Sequence, residues 1–222
     1  MLSYTEENYL KALLKLSFQN EEKPEAGTNE MAAYLGVKPA TATDMLKKLK
    51  DKELVSYKKY GKILLTDTGR KNGIAILRKH RLWETFLYQK LDFSWDEVHE
   101  VAEQLEHIQS AKLVDKLEEF LGFPEFDPHG DPIPKANGEM PQSTKTLLSE
   151  LSTGDLCTVA SVKDTSALFL QYLEKLKITI GTKIKVTEVI DFDGSLYIEI
   201  EGAAPRAVSM KFAESLFVRK LS

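Results

Sequence analysis

The stretch TNEMAAYLGVKPATATDMLKKLKDKELV, residues 28–55, decides how the first part of this 222-residue chain folds. It predicts a short helix over 28–35 that stops at Gly36, followed by a second helix that begins at Pro39 and runs to about Lys52. Apolar residues recur at helical spacing along one side of the second helix, and lysines and threonines occupy the other side. Two short helices joined by a glycine turn are typical of a helix-turn-helix.

The sequence predicts one helix before this pair and a hairpin after it. The spacing Ser3-x-x-Glu6 is a capping box, and it opens an amphipathic helix. Residues 54–57 and 63–65 are predicted as two strands around the basic tip KKYGK (58–62). The order helix, helix, turn, helix and basic hairpin predicts a winged helix-turn-helix, a DNA-binding fold.

The polar side of the second helix and the hairpin tip supply the candidate DNA contacts. Short hydroxyl side chains near a helix N-terminus can approach base edges, and lysines neutralise phosphates. The alternative is a small helical domain whose lysines only keep it in solution, but the turn and the wing occur together in the order that DNA binding requires. The candidate DNA-binding residues are Lys38, Pro39, Thr41, Thr43, Lys47, Lys48, Lys58, Lys59 and Lys62.

Charge is distributed unevenly along this chain, whose formal net charge is −4. Residues 38–81 hold 13 Lys/Arg against 4 Asp/Glu, whereas residues 84–127 hold 12 Asp/Glu against 3 Lys. This pattern indicates a basic face for a polyanion, followed by an acidic segment that attracts cations.

Composition excludes several other classes of protein. The single cysteine, Cys157, excludes an internal disulfide and a cysteine-rich zinc site. No apolar run reaches the roughly 18 residues that a membrane helix needs. The N-terminus lacks the basic and apolar regions of a signal peptide, so the expected location is the cytoplasm.

Beyond the hairpin the sequence predicts three helices, a connector and a β-rich domain. The helices are expected over 68–91, 94–109 and 110–121, and the second begins with another capping box at residues 94–97. Residues 123–143 include five prolines, which is typical of an extended connector. The strands predicted after it are 158–162, 183–189, 196–200 and 216–218, with one helix over 166–176 and a hairpin turn at Asp193-Gly194.

All four histidines of the chain are accompanied by carboxylates. On the first predicted helix after the hairpin a histidine and a glutamate are four residues apart, and on the second, histidines and glutamates recur at i, i+4, i+7 and i+8, so that the residues on each helix share a face. Such clusters repel themselves when buried, and a divalent cation removes the repulsion. Imidazole with carboxylate suits borderline-to-hard metals, although acidic helices with stray histidines are common. The helical groups are His80 with Glu84, and His99 with Glu103, Glu106 and His107.

Several segments together resemble the diphtheria-toxin-repressor family of metal-dependent transcriptional regulators, in its manganese-transport-regulator branch. The resemblance covers essentially the whole chain, and the combination of segments is far more specific than any one of them. Besides the winged helix, the segments are RKHRLWE (78–84), VHE (98–100), EQLEH (103–107), PHGDPIP (128–134) and KITIGTKIKV (177–186).

The resemblance implies a mainly α protein with a β-rich C-terminal domain. Its implied function is repression of metal-uptake genes by a homodimer that binds a palindromic operator in double-stranded DNA. Mn²⁺ is the expected activator and Fe²⁺ the second choice; neither a membrane nor a small organic substrate is expected. The implied domains are a winged helix-turn-helix at 1–66, a helical dimerisation and metal-binding domain at 67–123, a Pro-rich connector at 124–144 and an SH3-like small barrel at 145–222.

The resemblance also implies a primary metal site. The iron-responsive branch has a sulfur ligand where Glu103 stands, so the oxygen and imidazole set here favours Mn²⁺. Asn8 replaces the aspartate usual in the manganese branch; its amide oxygen can ligate, but one negative charge is lost. Glu7 is a substitute, although it is expected to point to a different face. The implied ligands are Asn8, His80, Glu103, Glu106 and His107.

A second metal site is implied closer to the C-terminal domain. Asp127 stands where some relatives have cysteine, Asp164 lies in a loop of the C-terminal domain, and His99 is expected to join as in the iron branch. The alternative is that Pro128-His129-Gly130 is simply a turn of the connector. The implied ligands are Glu84, His99, Asp127, His129 and Asp164.

Two other functions compete with metal-dependent regulation. A winged-helix regulator that senses an organic ligand would need an apolar pocket and no metal, and the pairing of every histidine with carboxylates weighs against it. A metal-dependent hydrolase would need an open coordination position and an activated water. The sequence has neither an HExxH motif nor a phosphate-binding glycine loop, and a DNA-binding module serves no purpose in such chemistry.

Overall fold

The structure is a computed structural model that describes residues 2–19, 25–58, 62–142 and 144–221. These residues form two compact units. The first unit consists of residues 1–80, 103–111 and 134–140. The second consists of residues 81–102, 112–133 and 141–222. The described helices contain none that is both long and apolar enough to cross a membrane.

The first unit begins with the predicted winged helix-turn-helix. Its helices and strands are α1 (Tyr4–Gln19), β1 (Ala26–Gly27), α2 (Thr28–Tyr34), α3 (Pro39–Asp51), β2 (Val55–Tyr57) and β3 (Lys62–Leu65). The strands form an antiparallel sheet in the order β1-β3-β2. The capping box is confirmed, since the Ser3 amide donates to the Glu6 carboxylate at 2.9 Å and the Glu6 amide donates to the Ser3 hydroxyl at 3.3 Å.

The turn between α2 and α3 forms as the sequence predicts. Gly36 has a φ of +64°, which a residue without a side chain adopts at little cost, and Pro39 is the first residue of α3. Ala42, Leu46 and Leu49 of α3 are buried in one apolar core with α1 and the sheet. Strand β1 was missed, because two residues carry no periodic signal and only their pairing with β3 places them.

Three helices follow the wing: α4 (Asp67–Leu91), α5 (Val98–Leu105) and α6 (Ala111–Phe120). Helix α5 is shorter than the predicted 94–109, and its capping box is half formed. The Ser94 amide donates to the Glu97 carboxylate at 2.9 Å, but the Ser94 hydroxyl donates to Asp96 and Glu97 and caps no backbone amide. Without that cap the chain makes a turn before the helix starts.

The C-terminal part folds into the predicted small β-rich domain, which lies entirely in the second unit. Its elements are β4 (Thr146–Leu147), a 3-10 helix (Leu148–Glu150), β5 (Leu156–Val162), α7 (Ala167–Lys175), β6 (Lys183–Val189), β7 (Leu196–Ile200), β8 (Arg206–Val208), α8 (Met210–Glu214) and β9 (Leu216–Lys220). The six strands form an antiparallel sheet in the order β4-β9-β5-β6-β7-β8. Its apolar residues alternate inward to a single core that includes Cys157. The elements missed by the sequence, β4, the 3-10 helix, β8 and α8, are all five residues or shorter.

Candidate metal centre and DNA-binding surface

The first unit gathers a group of buried ionisable side chains that we call the first cluster. Helix α1 brings two of its residues, α4 brings one near its middle, and α5 with the turn after it brings three. The group contains three carboxylates, one ammonium and two imidazoles, so with neutral imidazoles negative charge is in excess. The first cluster consists of Glu7, Lys11, His80, Glu103, Glu106 and His107.

Glu106 lies at the centre of the first cluster and is fully buried. Its Oε2 atom lies 2.7 Å from His80 Nδ1 and 2.7 Å from Lys11 Nζ. Its Oε1 atom has no hydrogen-bond partner among the described residues, and His107 Nε2 lies 3.9 Å from it. A buried carboxylate oxygen without a donor is costly, and a bound cation would satisfy it.

Glu7 orients the His107 imidazole. Glu7 Oε2 lies 2.5 Å from His107 Nδ1, and Glu7 Oε1 accepts a hydrogen bond of 2.6 Å from Gln109. The Tyr4 ring stacks on the imidazole at a centroid distance of 4.4 Å. A carboxylate that accepts the Nδ1 proton leaves the lone pair on Nε2, which is the usual arrangement behind a metal-ligating histidine. The expectation that Glu7 points to a different face is wrong, because Glu7 and Lys11 are one helical turn apart and both reach the first cluster.

Asn8 lies beside these residues on α1. It is half-buried, and its Oδ1 atom is buried without a hydrogen-bond partner in the described ranges. Besides the Tyr9 hydroxyl, this unit therefore holds two buried acceptor oxygens without a donor among the described residues, Asn8 Oδ1 and Glu106 Oε1. Both are ligand types that hard and borderline divalent cations accept. The chemistry of the first unit thus fits a bound cation.

The second unit holds a separate group, the second cluster, formed by Glu84, His99, Asp127 and His129. Glu84, Asp127 and His129 are buried and offer ligand atoms that all lie within 4.8 Å of one another. Glu84 Oε1 lies 3.1 Å from Nδ1 of the half-exposed His99, and Glu84 Oε2 lies 3.9 Å from His129 Nδ1. Four of the five residues predicted for this site therefore lie together.

The His129 tautomer is set by the backbone. Its Nε2 atom lies 3.0 Å from the Trp95 carbonyl oxygen, so the proton resides on Nε2. Nδ1 then carries the lone pair and faces the Glu84 carboxylate. A neutral imidazole whose other nitrogen donates to a carbonyl is the form that ligates metals.

Burial and neighbouring carboxylates both destabilise the charged form of Asp127 in the second cluster. Burial, followed by the nearby carboxylates of Glu84 and Asp131, raises the pKa of Asp127 well above its ordinary value, and Arg81 opposes this shift. Asp127 Oδ1 accepts hydrogen bonds of 2.9 Å from the amides of His129 and Asp131, while Oδ2 lies 3.5 Å from Arg81 Nε. A cation would relieve the repulsion between these carboxylates. Arg81 was missed because basic residues are not metal ligands.

Asp164 is not part of the group of ligand atoms formed by Glu84, Asp127 and His129. Its carboxylate accepts a hydrogen bond of 2.9 Å from the Ser166 amide in the loop before α7. The structure therefore leaves this predicted ligand apart from the other three.

The candidate DNA-binding surface is formed by α3 and the wing. Exposed side chains along α3 and its N-cap are those of Lys38, Pro39, Thr41, Lys47 and Lys48. Thr43 is half-buried, and its hydroxyl donates to the Pro39 carbonyl at 2.9 Å, so that it can only accept from DNA.

The wing adds basic residues after β2 and at the start of β3. Lys58 is exposed and lies 3.8 Å from Glu25, Lys62 is half-buried on β3, and the predicted contact Lys59 falls outside the described residues. Lysines thus extend from the second helix of the helix-turn-helix to the hairpin, as the sequence predicts.

Comparison with known proteins agrees with a DNA-binding domain followed by a metal-binding domain. A domain described as "iron dependent repressor, N-terminal DNA binding domain" matches residues 1–63, and "iron dependent repressor, metal binding and dimerisation domain" matches residues 66–135. A FeoA domain matches residues 146–220. A solved manganese-dependent transcriptional repressor in complex with manganese shares a TM-score of 0.86 and 35% identity, and the match covers 97% of this chain and 100% of that chain.

Two curated relatives match parts of the chain. The HTH-type transcriptional regulator MntR of Geobacillus kaustophilus is 32% identical over 103 residues, which are 46% of this chain and 72% of that protein. The iron-dependent repressor IdeR of Mycobacterium bovis is 41% identical over 70 residues, so that the chain spans only 30% of that relative's length. With its winged helix, histidine–carboxylate clusters and C-terminal FeoA-type sheet, this chain belongs to the iron-dependent repressor family of metal-dependent, DNA-binding transcriptional regulators.

Proposed function

We propose that this protein is a metal-activated transcriptional repressor that binds a palindromic operator as a homodimer and controls metal-uptake genes. The observation that carries the proposal is the pair of buried oxygens without donors, Asn8 Oδ1 and Glu106 Oε1, in the unit that also contains the winged helix. We further propose domain boundaries at 66/67, 123/124 and 144/145. The first and the last lie close to the limits of the matched domains, whereas the match to the metal-binding and dimerisation domain extends to residue 135.

Two metal sites per chain are proposed. Asn8, His80, Glu103, Glu106 and His107 form the first, with Glu7 behind His107 as its orienting carboxylate. The second is formed by Glu84, His99, Asp127 and His129, and Asp164 would join only by movement of its loop.

Mn²⁺ is the proposed activator, with Fe²⁺ second. Oxygen and imidazole donors without sulfur suit these ions, and the single cysteine is buried in the core of the C-terminal sheet. A solved relative in this family holds manganese, which agrees with the donor set.

Helix α1 connects metal binding to the position of the DNA-reading helix α3. Leu10 and Leu13 of α1 lie in the same apolar core as Leu46 and Leu49 of α3, so a displacement of α1 moves the DNA-reading helix. Glu7 and Lys11, on an adjacent face of α1, already contact residues that follow α5. A cation bound both by Asn8 of α1 and by the carboxylates of the first cluster would connect α1 to the end of α5. This connection would hold α1 in one position. The metal binds the DNA-competent arrangement of the protein more tightly than the other arrangements and therefore favours it. A tenfold difference in metal affinity corresponds to about 1.4 kcal/mol.

A gel-shift assay on the promoter of the gene for this protein tests the proposal. We expect Mn²⁺ to raise operator affinity at least tenfold over a chelated sample, Fe²⁺ to act less strongly, and Zn²⁺ to act least. A scrambled promoter fragment is the control for non-specific binding. Equal operator binding in chelator and in Mn²⁺ would contradict the proposed function.

A further inference from the structure

Lys11 places a positive charge inside the first cluster. Its side chain is only 6% exposed, and its ammonium contacts the Glu103 carboxylate and lies 2.7 Å from Glu106 Oε2. Both carboxylates are proposed metal ligands. The ammonium therefore holds both carboxylates that a divalent ion would use, and on Glu106 it occupies Oε2, next to the unpartnered Oε1.

Lys11 contacts the same carboxylate oxygen of Glu106 as His80, which is a proposed metal ligand. Glu106 Oε2 is bonded to Lys11 and also lies 2.7 Å from His80 Nδ1. Oxygen ligands lie about 2 Å from ions of this size, so an ion on either oxygen of the Glu106 carboxylate would lie within several ångströms of an unmoved Lys11 ammonium. Repulsion between a divalent and a monovalent cation at that separation is strong, because the interior screens it weakly.

We propose that Lys11 is a tethered cation that competes with divalent metal for Glu103 and Glu106, and that it thereby sets the metal concentration at which the repressor responds. The inference rests on the proposed function of the first cluster. The ammonium holds the two carboxylates together when metal is scarce and must release Glu106 when metal binds. Metal affinity is lowered by the free energy of that exchange.

The opposite role predicts the opposite sign. If Lys11 only pre-organised the carboxylates, then its removal would weaken metal binding, because repulsion would spread them apart. If Lys11 competes, then its removal strengthens metal binding. The sign of the change in Mn²⁺ affinity thus separates the two roles.

The test is a calorimetric titration of the full chain with Mn²⁺ alone. His129→Gln is introduced in every sample to disable the second cluster. In this background we expect Lys11→Met to bind Mn²⁺ at least tenfold more tightly, equivalent to about 1.4 kcal/mol, and Lys11→Arg, which keeps the charge, to stay within about threefold of the parent. An affinity for Lys11→Met that is equal to or weaker than that of the parent overturns the competition.

A matched control removes the same charge elsewhere. Lys52 is paired with Glu6 of α1 at 2.7 Å and lies outside the first cluster, so Lys52→Met should leave Mn²⁺ affinity within about twofold. An equal gain in both variants would indicate a general charge effect and would overturn the role of Lys11. A parent that binds no Mn²⁺ overturns the proposed function as well, whereas a parent that binds it without a gain in Lys11→Met overturns only this inference.

If circular dichroism shows that Lys11→Met does not fold, then the parent protein itself supplies the test. Acylation of Lys11 by an amine-reactive reagent is followed by mass spectrometry with and without Mn²⁺. Release of the ammonium from Glu106 predicts labelling at least threefold faster with Mn²⁺. An unchanged or slower rate overturns the exchange.

Discussion

At the scale of single residues, the Glu106 carboxylate is the part of the first cluster whose loss should matter most. Glu106→Gln keeps the shape of the side chain and removes its charge, so we expect Mn²⁺ affinity to fall about 100-fold and the Mn²⁺ response in the gel shift to disappear. The Lys11 ammonium keeps Glu103 as a partner, so the fold should persist by circular dichroism.

Glu100→Gln is the matched control for this prediction. Glu100 lies with an exposed side chain on α5, the helix just before Glu106, and its variant should respond to Mn²⁺ as the parent does. A Glu106→Gln variant with a normal Mn²⁺ response would show that the first cluster is not the sensor.

At the scale of elements, α3 and the wing should account for the salt dependence of DNA binding. Each phosphate contact that is lost flattens the slope of log K against log salt by about one unit. We expect this flattening for Lys47→Ala on α3 and for Lys62→Ala on β3, measured by fluorescence anisotropy at several salt concentrations. The control is Lys116→Ala. The Lys116 side chain is exposed on α6, which is distant from α3 in the sequence, so this variant should leave the slope unchanged. An unchanged slope in Lys62→Ala would exclude this wing residue from the DNA backbone.

The loop that carries Asp127 and His129 depends on a glycine. Gly130 has a φ of +79°, and a Cβ atom there would lie 2.0 Å from the Ala160 carbonyl oxygen of β5. The His129 carbonyl accepts a hydrogen bond of 3.0 Å from the Val162 amide, so the loop packs directly on this strand. The segment is a turn, as the alternative interpretation held, and it is also the element that positions His129.

Replacing this glycine should therefore destabilise the second unit. We expect Gly130→Ala to lower the free energy of unfolding by about 3 kcal/mol, measured in urea, because it adds a backbone clash to the unfavourable φ. Gly154→Ala is the matched control, since its φ is +95° but no atom lies within 4 Å of the added Cβ. Its expected loss is about 1 kcal/mol. Equal losses in the two variants would mean that the contact with β5 is not tight.

At the scale of the whole molecule, a homodimer is expected because two winged helices related by a two-fold axis match a palindrome. Apolar side chains of the second unit are exposed near the end of α4 and along and after α6, and such surface is costly in water. These residues are Leu91, Leu113, Phe120 and Phe123.

Analytical ultracentrifugation tests the dimer. With a chain mass of 25.1 kDa, a dimer should sediment at twice that mass at micromolar concentration. Phe120→Asp places a charge on the apolar surface and should shift the population towards monomer, whereas Phe192→Asp, on the exposed turn between β6 and β7, should not. A stable monomer of the parent with and without Mn²⁺ would contradict the expected assembly.

The sequence by itself determined what depends on short-range periodicity. Helical spacing identified the buried side of α3, because positions three and four apart share a face whatever packs against them. The same spacing grouped Glu103, Glu106 and His107, although α5 ends at Leu105 and the last two lie in the turn after it. The turn at Gly36 and the order of elements in the wing were likewise readable, since turns and caps are set by neighbouring residues.

Only the tertiary structure decided which elements meet. Lys11 lies 95 residues from Glu106, and Glu7 lies 100 residues from His107, so no local pattern could reveal that α1 supplies an orienting carboxylate and an ammonium to the first cluster. The pairing of β1 with β3 and the separation of Asp164 from the second cluster have the same origin. Contacts between distant segments depend on how whole apolar faces pack and exclude water, and that packing is decided by the complete fold.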